Sequence, residues 1–231
     1  MNKIGLISAM EEELLEVKKV MTEIEEKEID KVKFIIGKIC NRDCVLAQSG
    51  VGKVHAARTT QVMIDRFNIE SIINIGSAGA INDKLNIGDV VIGKHVVQHD
   101  FDITAFNHKK GYITGIGDNV PCSDSINNKL KEIIKEKENE IYKIKLGVVV
   151  TGDIFCTEIA MKEKIRSKFD ADVVDMESAA IGQVAFLNRV PFGAIRSVSD
   201  TPNGNNATTF DENLKLASER AALILRELIK K

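Results

Sequence analysis

The feature that most constrains the fold is an alternation between short β-branched runs and amphipathic segments of helical length. Each run is bounded by Gly, Asn or Asp and has the length of a buried strand. Strands that alternate with helices predict an α/β fold with a mostly parallel or mixed sheet covered on both faces. The predicted strands are KIGLIS, VKFIIGKI, DCVLAQS, SIINIGS, GDVVIGKHVV, KLGVVVTGD, ADVVDM and PFGAIRSVSD, and the predicted helices are Met10–Ile24, Lys53–Phe67, Ser125–Glu140, Glu158–Phe169, Glu177–Asn188 and Phe210–Lys230.

Two parts of the chain depart from this alternation. Residues 26–49 contain two strand-like runs with no helix between them, which predicts that part of the sheet is antiparallel. The stretches 99–124 and 200–210 are rich in Gly, Asn, Asp and Thr and are predicted to be binding loops. With 231 residues and 44% hydrophobic content, residues 1–231 suit one large α/β domain.

Composition narrows the classes of function. The 32 basic and 34 acidic residues give a net charge of −2, which favours neither nucleic acid nor a membrane surface as a partner. The N-terminal apolar run soon meets three glutamates, and no apolar stretch approaches ~18 residues, so we expect a soluble, cytoplasmic chain. The four cysteines are expected to be free thiols, and neither they nor the four histidines have the spacing of a metal site.

Ligands of open α/β sheets collect at the carboxyl ends of the strands. Five predicted strands end in residues that can carry chemistry. These ends are Ala9 to Glu13 after KIGLIS, Ser77 in GSAG, Ile154 to Cys156 after VVVTGD, Glu177 after ADVVDM, and Arg196, Ser199 and Asp200 in GAIRSVSD.

Each of these ends also has a purely structural interpretation. Acids in the first turn of a helix interact favourably with its dipole, which would explain the three glutamates. Asp175 and Glu177 fit a helix cap, and Asp200 fits a turn before Thr-Pro. GSAG is equally compatible with a tight turn and with amides exposed to an anion.

Two other patterns are set aside. SGVGK, residues 49–53, lacks the spacing of a phosphate-binding loop and has His55 where a dinucleotide fingerprint needs its third glycine. His99 beside Asp100 indicates a structural hydrogen bond rather than a base.

What remains is a metal-free set of carboxylates, an arginine, a serine and an aromatic residue, which can supply an acid, a base and a clamp on sugar hydroxyls. Cleavage of a glycosidic C–N bond needs these three roles.

Several motifs carry a resemblance to a known family. From Ile4 into the last helix, the chain contains in order IGLISAMEEELLEV, SGVGKVHAA, INIGSAGA, HDFDITAF, TGDIFC, VVDMESAAIGQVAFLNRVPFGAIRSVSD and FDENL. Together they resemble the 5′-methylthioadenosine/S-adenosylhomocysteine nucleosidases of the nucleoside phosphorylase superfamily. The resemblance implies a three-layer α/β/α sandwich around a mixed, barrel-like sheet, a homodimer without a cofactor, and hydrolysis of the adenine–ribose bond of methylthioadenosine, S-adenosylhomocysteine and 5′-deoxyadenosine.

The resemblance also implies roles for individual residues. Asp200 would protonate adenine N7 with Ser199 supporting its carboxyl, and Glu13 would orient the attacking water. Glu177 would bind the ribose hydroxyls. Implied in substrate binding are further Ser77, Ala78 and Gly79 at the GSAG turn, Arg196 near the water, Met176 at the sugar, Phe155 and the backbone of Cys156 at adenine, Met10, Val51 and Phe210 at the 5′-alkylthio group, and Ile103 and Phe106 from the partner subunit.

The sequence departs from the family pattern beside the site, with Asp175 in place of a frequent Glu and Ala80 in place of Gly. A nucleoside phosphorylase of the same fold is a rival hypothesis, but such relatives carry an arginine where this chain has Asn74, and three glutamates would repel phosphate. A futalosine-type nucleosidase shares the hydrolytic residues and remains open. A non-catalytic nucleoside-binding protein would be expected to lack Glu13 or Asp200.

Overall fold

The computed structural model describes residues 2–137, 140–201 and 206–231, with the backbone only for 206–209. The ten strands within these ranges belong to one sheet, in which β10–β6–β8–β9–β5–β1–β4–β3–β2 are neighbours and β7 pairs with β6. The strands are β1 Lys3–Ser8, β2 Thr22–Ile29, β3 Val32–Ile39, β4 Arg42–Gln48, β5 Ile69–Ala80, β6 Val90–Gln98, β7 Val120–Pro121, β8 Ile144–Thr151, β9 Val173–Asp175 and β10 Phe192–Asp200, and the helices are α1 Glu11–Lys18, α2 Lys53–Arg66, α3 Asp124–Glu136, α4 Ile159–Phe169, α5 Ser178–Leu187 and α6 Asn206–Lys230.

Part of this sheet closes on itself. β10 pairs with β6 on one side and with β5 on the other, so β5, β9, β8, β6 and β10 form a closed five-stranded ring. The sheet is mixed, because β1 is parallel to β4 and β5 whereas β2, β3 and β4 pair antiparallel. The predicted barrel-like mixed sheet and the antiparallel part are confirmed.

Helices cover both faces of the sheet, because successive strand residues point to opposite sides. In β1, Ile7 packs with α2 and α5 in one apolar cluster, while Leu6 packs with α1, α3 and α6 in the other. Ile72 and Ile73 of β5 divide in the same way. These two clusters form the layers of the predicted α/β/α arrangement.

The first predicted helix was too long. α1 ends at Lys18, and Thr22–Ile29, part of which was expected to continue it, forms the edge strand β2. Nearly all residues of β2 are exposed, so the strand is held by backbone pairing with β3 and has no buried face that a hydrophobic pattern could report. Its charged side chains also protect the open edge of the sheet.

The other helices lie close to their predicted positions. α6 starts at Asn206 rather than Phe210, so part of the predicted 200–210 loop is helical, while residues 202–205 of that loop lie outside the described residues. Residues 99–124 are irregular as predicted, with only the 3₁₀ helix Thr104–Phe106 and the short β7. In the described residues, no helix is long and apolar enough to cross a membrane.

Candidate active site

The strand ends surround a cavity of about 350 Å³. β10 brings Asp200 opposite Gly79 of β5. β9 is antiparallel to β5 and pairs with it only through Gly79–Val174 and Ala80–Val173, so this short strand lies beside the carboxyl end of β5. The size is in the range of small-molecule sites.

Twelve residues that the sequence suggested as site residues line this cavity. Arg196 and Ser199 are fully buried and do not line it, and Ile103 and Phe106 lie outside it. The twelve are Met10, Glu13, Val51, Ser77, Ala78, Gly79, Phe155, Cys156, Met176, Glu177, Asp200 and Phe210; Ala9, Ile154, Val174 and Asp175, which were not proposed, complete the lining.

Glu13 sits in the first turn of α1 with its carboxylate fixed at both oxygens. Oε2 accepts hydrogen bonds from the backbone N–H groups of Ala9, at 2.8 Å, and Met10, at 3.2 Å. Oε1 accepts from the backbone N–H of Ser77 at 2.8 Å and from its hydroxyl at 2.9 Å. A Cβ at position 76 would lie 2.4 Å from Oε1, so Gly76 is what allows β5 to approach this carboxylate.

Asp200 ends β10 and is almost fully buried. Its Oδ2 lies 3.1 Å from Nζ of Lys162, and its Oδ1 accepts a hydrogen bond from the Ser199 hydroxyl at 3.2 Å. Burial raises the pKa of Asp200 above its ordinary value, against the opposing effects of the Lys162 ammonium and the Ser199 hydrogen bond. Lys162 was not predicted, although it precedes the buried Ile165 by three residues and helical periodicity therefore places both on one face.

Arg196 and Asp175 form a buried ion pair next to the cavity. Nε of Arg196 is 2.8 Å from Oδ2 of Asp175 and 3.0 Å from the Ser178 hydroxyl. One terminal nitrogen bonds to Oδ1 of Asn74 at 2.5 Å and the other to the Ser77 carbonyl at 3.2 Å. The guanidinium is thus hydrogen-bonded or ion-paired to the protein through all three of its nitrogens, and it does not line the cavity.

Glu177 caps α5 and faces the cavity. Its Oε1 accepts a hydrogen bond of 2.9 Å from the backbone of Gly52, whose φ of 97° favours glycine at the start of α2. Its Oε2 is 3.7 Å from Arg196. Burial raises the pKa of Glu177 to about 7, assisted by the charges of Asp175 and Glu13 and opposed by Arg196.

Aromatic side chains lie at the entrance. Phe155 and Phe210 meet edge to face, with ring centroids 5.6 Å apart, and Phe155 is 45% exposed. The segment carrying Phe155 is anchored by Asp100, which accepts a 2.9 Å hydrogen bond from the backbone of Asp153 and pairs with Lys53 at 2.8 Å. Phe155 therefore lines the cavity from an anchored loop.

Three remaining expectations concern residues away from the cavity lining. Phe106 is 75% exposed and Ile103 is half-buried on the irregular loop, and neither lines the cavity. The predicted structural hydrogen bond of His99 is not made by its Nε2 atom, which is buried against Gly152 without a partner among the described residues. Within the same described ranges, no group of three or more His, Cys, Asp or Glu residues could hold a metal ion.

A family model described as the phosphorylase superfamily matches residues 3–230. The chain belongs to the phosphorylase superfamily. This match spans nearly every element described above, and it confirms the family resemblance expected from the ordered motifs.

Individual members of the phosphorylase superfamily sharpen the comparison. A 5′-methylthioadenosine/S-adenosylhomocysteine nucleosidase of Staphylococcus carnosus is 40% identical over 228 residues, which cover 98% of this chain and 99% of that protein. The nucleosidase of the same name from Neisseria meningitidis, solved in complex with methylthio-immucillin-A, is 32% identical with a TM-score of 0.94 and covers 100% of this chain and 99% of its own. A futalosine hydrolase of Helicobacter pylori is 31% identical with a TM-score of 0.93, covering 99% and 97%.

Proposed function

We propose that this protein is an N-glycosyl hydrolase that releases adenine from 5′-methylthioadenosine and S-adenosylhomocysteine. Relatives named for this activity match almost the entire chain. We extend the proposal to 5′-deoxyadenosine, to one nucleosidase domain formed by residues 1–231, and to a place in the salvage of methionine and the recycling of S-adenosylmethionine by-products.

The observation that carries hydrolysis over phosphorolysis is the charge of the cavity. Of the described residues that line it, four carry carboxyl groups, Glu13, Asp175, Glu177 and Asp200, and none carries a cationic side chain. Arg196, the nearest guanidinium, is already bound by Asp175, Ser178, Asn74 and Ser77. A phosphate anion would be repelled by the carboxylate of Glu13 and would find no cationic side chain among the lining residues, whereas water is uncharged and is not repelled.

The acid in this mechanism is Asp200. Adenine is a poor leaving group as an anion, so the Asp200 proton passes to N7 while the electron pair of the breaking C1′–N9 bond moves into the purine. Asp200 is left as a carboxylate. Its burial raises the pKa, which favours the protonated form that this step requires.

The base is Glu13. Water adds to C1′, its oxygen forms the new C–O bond, and its proton passes to the Glu13 carboxylate, so that the products are neutral adenine and the 5-substituted ribose. Four hydrogen bonds fix both Glu13 oxygens, which favours one orientation for the water. Proton exchange with solvent then returns Glu13 and Asp200 to their starting states.

Glu177 stabilises the sugar as its charge develops. The ribose becomes oxocarbenium-like when the bond breaks, and the ionised form of Glu177, which prevails above its pKa of about 7, favours this state over the neutral substrate. Acid–base catalysis typically supplies ~10²–10⁴-fold, so much of the acceleration must come from this electrostatic effect. In the same pose, Ser77 and its neighbours Ala78 and Gly79 border the reacting centre, and Met176 lines the sugar.

The remaining lining residues account for the two ends of the substrate. Phe155 stacks on adenine and the Cys156 backbone contacts its edge, while Met10, Val51 and Phe210 surround the 5′-alkylthio group. The exposed Phe106, with Ile103, completes that pocket in a second subunit, and we therefore propose a homodimer. We also propose that the dimer acts in the cytoplasm.

Futalosine hydrolysis is a second candidate, favoured by the Helicobacter pylori relative, whose fold agrees over 99% of this chain.

The test of the main proposal is adenine release from methylthioadenosine in phosphate-free buffer with a chelator. Release at an undiminished rate supports the proposal, and strict dependence on phosphate would overturn it. Competing methylthioadenosine, S-adenosylhomocysteine, 5′-deoxyadenosine and futalosine in one reaction then ranks the substrates.

A further inference from the structure

Lys162 is a buried cation against the proposed acid. Its side chain is 1% exposed and that of Asp200 is 3% exposed, with 3.1 Å between Nζ and Oδ2. In the described part of the chain, Lys162 is the only buried lysine. It reaches Asp200 from α4, a helix outside the strand ends that supply the other site residues.

The pair is a poor device for stability. Burying the Lys162 ammonium costs several kcal/mol, and replacing a buried ion pair by apolar residues is often neutral or stabilising. Lys162 shares a face of α4 with Ile165, which belongs to an apolar cluster. A chemical use for the charge is therefore more consistent with the structure than a packing use.

Proton donation creates a need for such a charge. Asp200 starts as a neutral acid and ends as a carboxylate while it is almost fully buried, which by itself would make the proton difficult to release. An ammonium group 3.1 Å away interacts more strongly with the carboxylate than with the neutral acid. The interaction thus grows as the proton moves to N7, as transition-state stabilisation requires.

We propose that Lys162 is a positioning residue of the nucleosidase, which orients the Asp200 carboxyl and stabilises the carboxylate left after proton transfer to adenine. This inference rests on the proposed function. It adds a residue of α4 that acts through Asp200 and makes no contact with the substrate.

Other groups around Asp200 determine how its pH response is read. The Cys156 thiol responds to both Lys162 and Asp200, but burial raises its pKa, so it stays neutral near pH 7. From β5, the neighbouring residues are the uncharged Ala78 and Gly79. Glu13 and Glu177 line the same cavity and are unchanged in the variants below.

The test compares Lys162→Met with Lys162→Arg and with Lys164→Met, which removes an exposed lysine of the same helix. Loss of the ammonium raises the pKa of Asp200, since a cation at this distance typically lowers it by about 1–3 units. The basic limb of kcat/KM should move upward by about that amount, and kcat on the plateau should fall about 10–100-fold because the acid is weaker. Lys162→Arg should restore most of kcat, and Lys164→Met should match wild type.

A substrate with another leaving group separates this role from a structural one. 1-O-(p-Nitrophenyl)-5-methylthio-β-D-ribofuranoside loses p-nitrophenolate, which departs without protonation. Lys162→Met should therefore hydrolyse it at nearly the wild-type rate while losing activity on methylthioadenosine. Equal losses on both substrates, or an unchanged pH profile, would overturn the inference.

Two further measurements keep the outcomes distinct. If Lys162→Met does not fold, ¹³C NMR titration of the Asp200 carboxyl in Lys162→Gln and wild type tests the pair without turnover, and identical titrations would refute it. A wild-type protein that releases no adenine from methylthioadenosine would instead refute the proposed function.

Discussion

Nε of Arg196 lies 2.8 Å from Oδ2 of Asp175, and both side chains are almost entirely buried. This ion pair distinguishes the role of Asp175 from that of Glu177. Asp175 also accepts a hydrogen bond from Thr151 at 2.6 Å, so its charge is used inside the protein. Glu177 lies 3.7 Å from the same guanidinium and lines the cavity, and we therefore propose that Glu177, not Asp175, binds the ribose.

Glu177→Gln should abolish adenine release and stabilise the folded protein at pH 8. Burial raises the folded-state pKa from 4.5 to about 7, so the folded state retains a proton that the unfolded chain has lost, and stability falls as pH rises through this window. Glutamine removes this loss, which is up to about 3 kcal/mol. Urea unfolding should give equal stabilities near pH 4 and a gap that widens to pH 8; a constant gap would contradict the assigned burial effect.

Asp200→Asn should lower kcat by at least ~10²–10⁴-fold, because an amide cannot deliver the proton to N7. Methylthioadenosine should still bind, as the aromatic and apolar lining is unchanged, and isothermal titration calorimetry can measure this. Asp170→Asn, at an exposed site on α4's C-terminal side, is the control. Near-normal turnover of Asp200→Asn would mean that another group is the acid.

Glu13→Gln should lose both activity and stability. Glutamine has one acceptor oxygen where the carboxylate accepts four hydrogen bonds, so its NH₂ group faces backbone donors and the cost is about 1–3 kcal/mol. Thermal unfolding and turnover together check this. Glu12→Gln changes an exposed neighbour in the same turn and should alter neither property. A Glu13→Gln variant that is inactive but as stable as wild type would support Glu13 as the base and refute its contribution to stability.

Phe106→Glu tests the proposed homodimer. An exposed aromatic that becomes buried on association contributes about 1.5–3 kcal/mol, and a charge in its place opposes desolvation. Sedimentation should detect dissociation, and KM for methylthioadenosine should rise. Ile141→Glu, at a fully exposed site, should leave the dimer intact. A wild-type monomer with full activity would refute the role of the partner's loop.

The sequence allowed the architecture and most of the cavity to be predicted, because buried strands and amphipathic helices leave periodic patterns. Thr22–Ile29 could not be recognised as a strand, since an edge strand with exposed faces has no such pattern. Lys162 could not be recognised from the sequence, because its role depends on a contact with Asp200, which lies 38 residues further along the chain. The hydrogen bonds of Arg196 could not be predicted either, because they involve Asn74 and Ser178, which lie on two other elements.

The most direct test of the central claim is hydrolysis of methylthioadenosine in ¹⁸O-labelled water with phosphate present and a chelator added. Water attack at C1′, oriented by Glu13, predicts free methylthioribose carrying ¹⁸O at C1 in the first turnover, analysed before the anomeric oxygen exchanges, and no phosphorylated sugar. Formation of methylthioribose 1-phosphate without ¹⁸O at C1 would contradict the account.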